Sequence, residues 1–147
     1  MSQFYTSALI NKLVSDFQKG KKLPSFAKLK EFINNNPSDE IARYNFAIMC
    51  EQLDYIDLAK EHYNKIIKKN SLHWQSKFNL YLIYIKEKKY EKALQLTNDV
   101  LAINSNYQPA LRDKAVILYY LKRSEEGLPF IEESLKQNEK DQQLNHL

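Results

Sequence analysis

Three histidines and one cysteine are the side chains with which this chain could hold a metal ion or attack an electrophile, and their spacing supports neither. His62, His73 and His146 stand far apart and share no helix face, whereas helical metal sites use pairs one turn apart. Cys50 is the single cysteine, so neither a disulfide nor a cysteine metal cluster can form within one chain. It lies beside Met49 and Phe46 on an apolar face, where a thiol reads as a small buried side chain and not as a nucleophile. No glycine-rich phosphate loop and no G-x-S-x-G elbow is present. Glu125-Glu126 and Glu132-Glu133 read as solvated faces, and Lys86, Lys88, Lys89 and Lys92 as a charged turn. The residues therefore imply no catalytic group, no metal and no cofactor, and the chain reads as a non-enzyme.

The elements behind these residues are helices. Two glycines and four prolines in 147 residues leave little material for hairpins, and 44% hydrophobic content is enough for a core. Of 22 basic residues only Arg43, Arg112 and Arg123 are arginines, which argues against specific nucleic-acid contacts. The net charge of +4 is unevenly placed. Lys12, Lys19, Lys21, Lys22, Lys28 and Lys30 crowd the first thirty residues, and residues 124–141 are mainly acidic. That asymmetry reads as two solvated ends or as head-to-tail attraction between copies. No run approaches the roughly eighteen apolar residues of a membrane span, and no secretory signal is evident. A cytoplasmic protein without a membrane partner is expected.

Shifted by 34 residues, the chain aligns with itself without gaps from about residue 6 to residue 141. Three columns carry the signal: Asn36, Asn70, Asn104 and Asn138; Ser25, Ala59, Ala93 and Gly127; Asn11, Asn45, Asn79 and Asp113. The first column is read as closing a helix, since Asn tolerates the left-handed conformation. The second lets two helix backbones approach closely. Apolar residues between these marks follow helical spacing, which predicts eight helices in four pairs: residues 6–39, 40–73, 74–107 and 108–141. Residues 142–147, with Leu144 and Leu147, are expected to start a cap or a further helix.

The segments ARYNFAIMCEQLDYIDLAKEHYNKIIKKN and FNLYLIYIKEKKYEKALQLTNDVLAIN resemble tetratricopeptide repeats. Tyr44-Asn45-Phe46-Ala47 is similar to the first-helix pattern. Ala59 with Tyr63 and Ile66, and Ala93 with Val100, are similar to the second-helix pattern, and Asn36-Pro37 to the terminal one. Leu9, Arg43, Lys77 and Leu111 stand where the family carries tryptophan. Lys12 and Asp16 fall on core columns of the first unit unless its alignment slips by one residue. Lys114 and Ser134 fall on core columns of the fourth, which predicts a less buried terminal repeat.

The resemblance implies an all-α, right-handed superhelical solenoid of about four repeats, whose first helices line a concave groove. The lining residues it implies are Asn11, Tyr44, Asn45, Ile48, Phe78, Asn79, Leu82, Lys86, Asp113 and Tyr119, with Ile10, Phe17, Ile85, Val116 and Tyr120 beside them. Asn11, Asn45, Asn79 and Asp113 would form a polar ladder able to pair with a peptide backbone. The function implied is a non-catalytic protein-interaction scaffold binding a peptide or partner segment. The alternative is a recognition or oligomerisation module of a larger enzyme, such as a bacterial glycosyl- or sulfotransferase. The family's carboxylate clamp for chaperone tails is missing, because its cationic columns hold Ile10, Gln75 and Asn79, or Tyr44, Pro109 and Asp113. RNA reading by a related 35-residue repeat is disfavoured by Ile10, Tyr44 and Phe78 at a base-reading column. Either the natural chain continues beyond this last unit, or its apolar residues Ile117, Leu121, Ile131 and Leu135 are expected to stay partly exposed and to promote self-association through the C-terminal repeat.

Overall fold

The computed structural model describes residues 3–144, with side chains from residue 6. Among these residues there are eight helices and no strand: α1 (Gln3–Gln18), α2 (Lys22–Asn35), α3 (Glu40–Gln52), α4 (Ile56–Lys69), α5 (Trp74–Lys86), α6 (Tyr90–Ile103), α7 (Gln108–Tyr120) and α8 (Ser124–Leu144). None is long and apolar enough to cross a membrane. The chain forms two compact units, residues 1–70 and 71–147.

Each unit is built from two antiparallel-type pairs joined by short turns. The turn inside every pair has one geometry. Its main chain closes with a bond five residues back and another three back: Lys21 N–H to Asp16 C=O and Gly20 N–H to Phe17 C=O, then Tyr55 to Cys50 and Asp54 to Glu51, Lys89 to Tyr84 and Lys88 to Ile85, and Arg123 to Leu118 and Lys122 to Tyr119. This double bond satisfies the helix's last carbonyls and needs one left-handed residue. Gly20 fills that position at φ 103°, while Asp54, Lys88 and Lys122 take it at φ 64°, 60° and 60°. The left-handed positions therefore lie at these turns and not at the asparagine column, where Asn36, Asn70 and Asn104 have φ between −134° and −130°. Asn36 closes its helix through its amide instead, Nδ2 donating to Phe32 C=O at 3.0 Å. Asn70 donates to Glu40 Oε2 at 3.0 Å, tying the end of α4 to the start of α3. Asn138 closes nothing. It is followed by Glu139, Lys140, Asp141 and Gln142, all compatible with a helix and with no breaker among them, and α8 runs on to Leu144. Residues 142–144 thus belong to α8 itself, and Leu147 and His146 lie outside the described residues.

Side chains start several helices. The Asp39 carboxylate accepts from Ala42 N–H at 2.9 Å, and His73 Nδ1 accepts from Ser76 N–H at 3.2 Å. Pro109 sits in the first turn of α7, where its missing N–H costs nothing. The small column packs each pair: Ser25, Ala59 and Ala93 are at most 2% exposed. At Gly127 an added Cβ would meet Ala115 Cα and O at 3.3 Å, so the α7–α8 approach needs a bare backbone.

The core of the first unit holds Ile10, Leu13, Phe17, Leu29, Phe46, Met49, Cys50 and Tyr63. That of the second is centred on Tyr81, Ala93, Leu94, Ile117 and Leu118. Ile10 and Phe17 are 2% exposed and Ile117 is fully buried, so these three belong to the core and not to a groove or an open edge. Ser134 is also buried, at 2%, but Leu128, Ile131 and Leu135 of the same helix are 44–57% exposed, so the last repeat is the less buried one expected.

Candidate partner-binding surface

The first helices α3, α5 and α7 carry most of the residues that the sequence singles out. In the first unit, Asn11 is exposed on α1, and Tyr44, Asn45 and Ile48 are half-buried on α3. The Tyr44 ring lies 6.2 Å from that of Tyr63, whose hydroxyl donates to Glu51 at 2.5 Å. Asn45 Nδ2 donates to Ile41 C=O at 2.9 Å. One of the two N–H bonds it could offer a ligand is therefore spent on its own helix.

In the second unit, Phe78, Asn79 and Leu82 are half-buried on α5 and Lys86 is exposed. Phe78 is clamped between Tyr81 at 5.1 Å and Tyr107 at 5.3 Å, which makes it a prop for the start of α7. Asp113 accepts a hydrogen bond from the Tyr81 hydroxyl at 2.6 Å. Burial raises its carboxyl pKa above the usual range, opposed by that bond and by Arg112. Its carboxylate is an internal acceptor that fixes α7 on α5.

The most open apolar surface of this group is on α7. Val116, Tyr119 and Tyr120 are 46%, 66% and 54% exposed, and at one-turn spacing they share a face. Tyr120 is held by a parallel stack on Tyr90 of α6, with centroids 4.8 Å apart and 3° between planes. Beside it an open cleft of about 790 Å³ is lined by Tyr119, Tyr120, Lys122, Arg123, Ser124, Glu125 and Glu126. Fixed, exposed tyrosines with charged neighbours are the composition of a protein-recognition surface.

The nucleophile and metal candidates are occupied elsewhere. Cys50 is fully buried, and desolvation pushes its thiol up to about 12. His62 is buried on α4 against Arg43, while His73 caps α5.

Two features were only partly visible in the sequence. Ile131 and Leu135 are 44% and 57% exposed, as expected, and Leu128 beside them, which the sequence did not single out, is 55% exposed. The outward face of α1 was read as an alignment slip. Comparing burial down the 34-residue columns, and not residue type alone, separates both from the core.

The arrangement defines an all-helical repeat solenoid of helix–turn–helix units. No family model and no curated protein matches the chain. The fold is similar to that of MamA: a crystal structure of MamA is 16% identical with a TM-score of 0.84, covering 93% of this chain and 80% of that one. MamA AMB-1 is 17% identical with a TM-score of 0.79, covering 90% and 78%. A MamA RS-1 ArsTM double mutant is 17% identical with a TM-score of 0.80, covering 89% and 74%.

Proposed function

We propose that this chain is a non-catalytic, tetratricopeptide-type scaffold that binds a partner protein or peptide on its first helices. The observation that carries this reading is the open apolar face of α7, where Val116, Tyr119 and Tyr120 are each about half exposed or more. A soluble chain leaves such rigid aromatics in water where a partner covers them. Leu82 and Lys86 on α5, and Tyr44 and Ile48 on α3, extend the same kind of surface within their own units. Asn45 and Asn79 supply polar contacts beside it. Because Asn45 and Asp113 already serve internal bonds, the apolar and aromatic residues carry most of the binding and the ladder adds to it.

The test begins with affinity capture and identification of what is retained, followed by direct titration of the purified partner. Val116→Ser with Tyr119→Ser should weaken binding by roughly tenfold or more, and Asn45→Ala with Asn79→Ala by less, each with helicity and melting unchanged. If both pairs bind as the parent does, the first-helix face is not the site.

A second surface favours self-association through the C-terminal repeat, carried by the exposed Leu128, Ile131 and Leu135 on α8.

A further inference from the structure

We propose that copies of this chain associate head to tail, with α1 of one copy seated on the outer face of α8 of the next. This rests on the self-association surface of α8 and names its occupant and polarity; it uses none of the residues of the partner surface on α3, α5 and α7.

The first argument is burial down equivalent columns. In α2, Leu29 and Ile33 are 0% and 4% exposed, and in α6, Leu94 and Thr97 are 8% and 0%. These positions are covered by the first helix that follows, α3 or α7; the Phe26 ring, for instance, stacks 4.8 Å from Phe46. In α8 the matching columns hold Leu128, Ile131 and Leu135, 44–57% exposed, while Gly127 and Ser134 on the α7 side are buried. The face is of the kind that takes a first helix, and no described helix lies on it.

The second argument is the complementary face on α1. Ala42 and Ala110, where α3 and α7 meet the preceding helix, are fully buried. Their counterpart Ala8 is exposed, as are Lys12 and Lys19 on the same stripe, and Ser15 between them is half-buried. A lysine in this stripe does not prevent docking: α7 packs on α6 while Lys114, four residues after Ala110, turns its ammonium over the Phe130 ring of α8 at 4.0 Å.

Charge selects the occupant. Glu125, Glu132 and Glu139, spaced by seven, form one exposed ridge along the leucine stripe of α8. Lys12 and Lys19, also spaced by seven, run along α1. Seated as α3 sits on α2, Lys12 comes opposite Leu128, its methylenes covering the leucine and its ammonium between Glu125 and Glu132. Two copies of α8 face to face would instead bring two glutamate ridges into one interface. The contact joins different surfaces, so it propagates and does not close on itself.

The test is sedimentation velocity of the full chain over a wide concentration range, at low and high salt. The parent should form a growing series of species that shortens as salt rises. Leu128→Asp with Leu135→Asp should be monomeric, with helicity unchanged because both sites are exposed. Lys12→Glu/Lys19→Glu and Glu125→Lys/Glu132→Lys should each weaken association on the order of tenfold or more. An equimolar mixture of these two charge-reversed proteins should regain growth with alternating composition. A parent that stays monomeric throughout, a closed dimer indifferent to the α1 reversal, or a mixture that stays monomeric would each overturn the proposal.

Discussion

At the residue scale the most informative contact joins Arg43 and His62. Arg43 Nη1 donates to His62 Nδ1 at 2.8 Å and Nη2 to Pro37 C=O at 2.7 Å. The histidine is thus held neutral, with its ring proton on Nε2, and its edge meets Phe46 at 4.9 Å. Burial first, and then the charges of Arg43 and Lys65, pull its pKa down to about 4. The sign of the linkage follows. Below pH 6.5 the unfolded chain takes up a proton that the folded chain refuses until about pH 4, so stability falls as pH drops through that window. Between pH 7 and 5 the loss from this one group should be about 2 kcal/mol. Denaturant titrations at both pH values should show that His62→Gln, which keeps an acceptor for Arg43, removes about that much of the slope. An unchanged slope would mean that His62 titrates normally. None of this was legible in the sequence, where His62 was weighed as a metal ligand and Arg43 as a rare arginine and a missing tryptophan. The asparagine column was visible, but a side chain's type does not reveal that Asn45 bonds back to Ile41 or that Asp113 is claimed by Tyr81.

At the element scale the helix pairs were legible because their apolar spacing and small column impose one packing distance. The stops were read less well. Asparagine was taken as the left-handed residue, whereas that conformation falls on Asp54, Lys88 and Lys122, whose residue types give no hint of it. Only Gly20 announces the turn. A non-glycine residue there costs roughly 1–2 kcal/mol of strain, against roughly 0.5–1 kcal/mol of added chain entropy for glycine. Lys88→Gly should therefore raise stability by about 0.5–1 kcal/mol, while Gln95→Gly at an exposed site inside α6 should lower it by about 1 kcal/mol. Chemical denaturation of the two variants side by side checks the opposite signs; a loss at Lys88 would show that the turn is unstrained. Lys12 and Asp16 teach the same lesson about position. They occupy columns filled by Phe46 and Cys50 in α3, while the buried residues of α1 are their neighbours Leu13 and Phe17.

At the scale of the whole molecule, the fold is shared with MamA at 16–17% identity, so few of its contacts depend on particular side chains. Apolar columns, a small column and main-chain turns are sufficient. The two proposed surfaces lie on different helices and should separate cleanly: the α8 leucine variant should still bind the captured partner, and the α7 variant should still self-associate. Titration of the first and sedimentation of the second would show this, and a joint loss would mean a shared site or a damaged fold. The turns carry a further consequence. Since each is closed by the peptide backbone, the exposed side chains of Asp54, Lys88 and Lys122 carry little of the turn's stability. Each behaves as a socket within its own unit, where charge or bulk can be exchanged from one descendant to another without renegotiating the scaffold beneath.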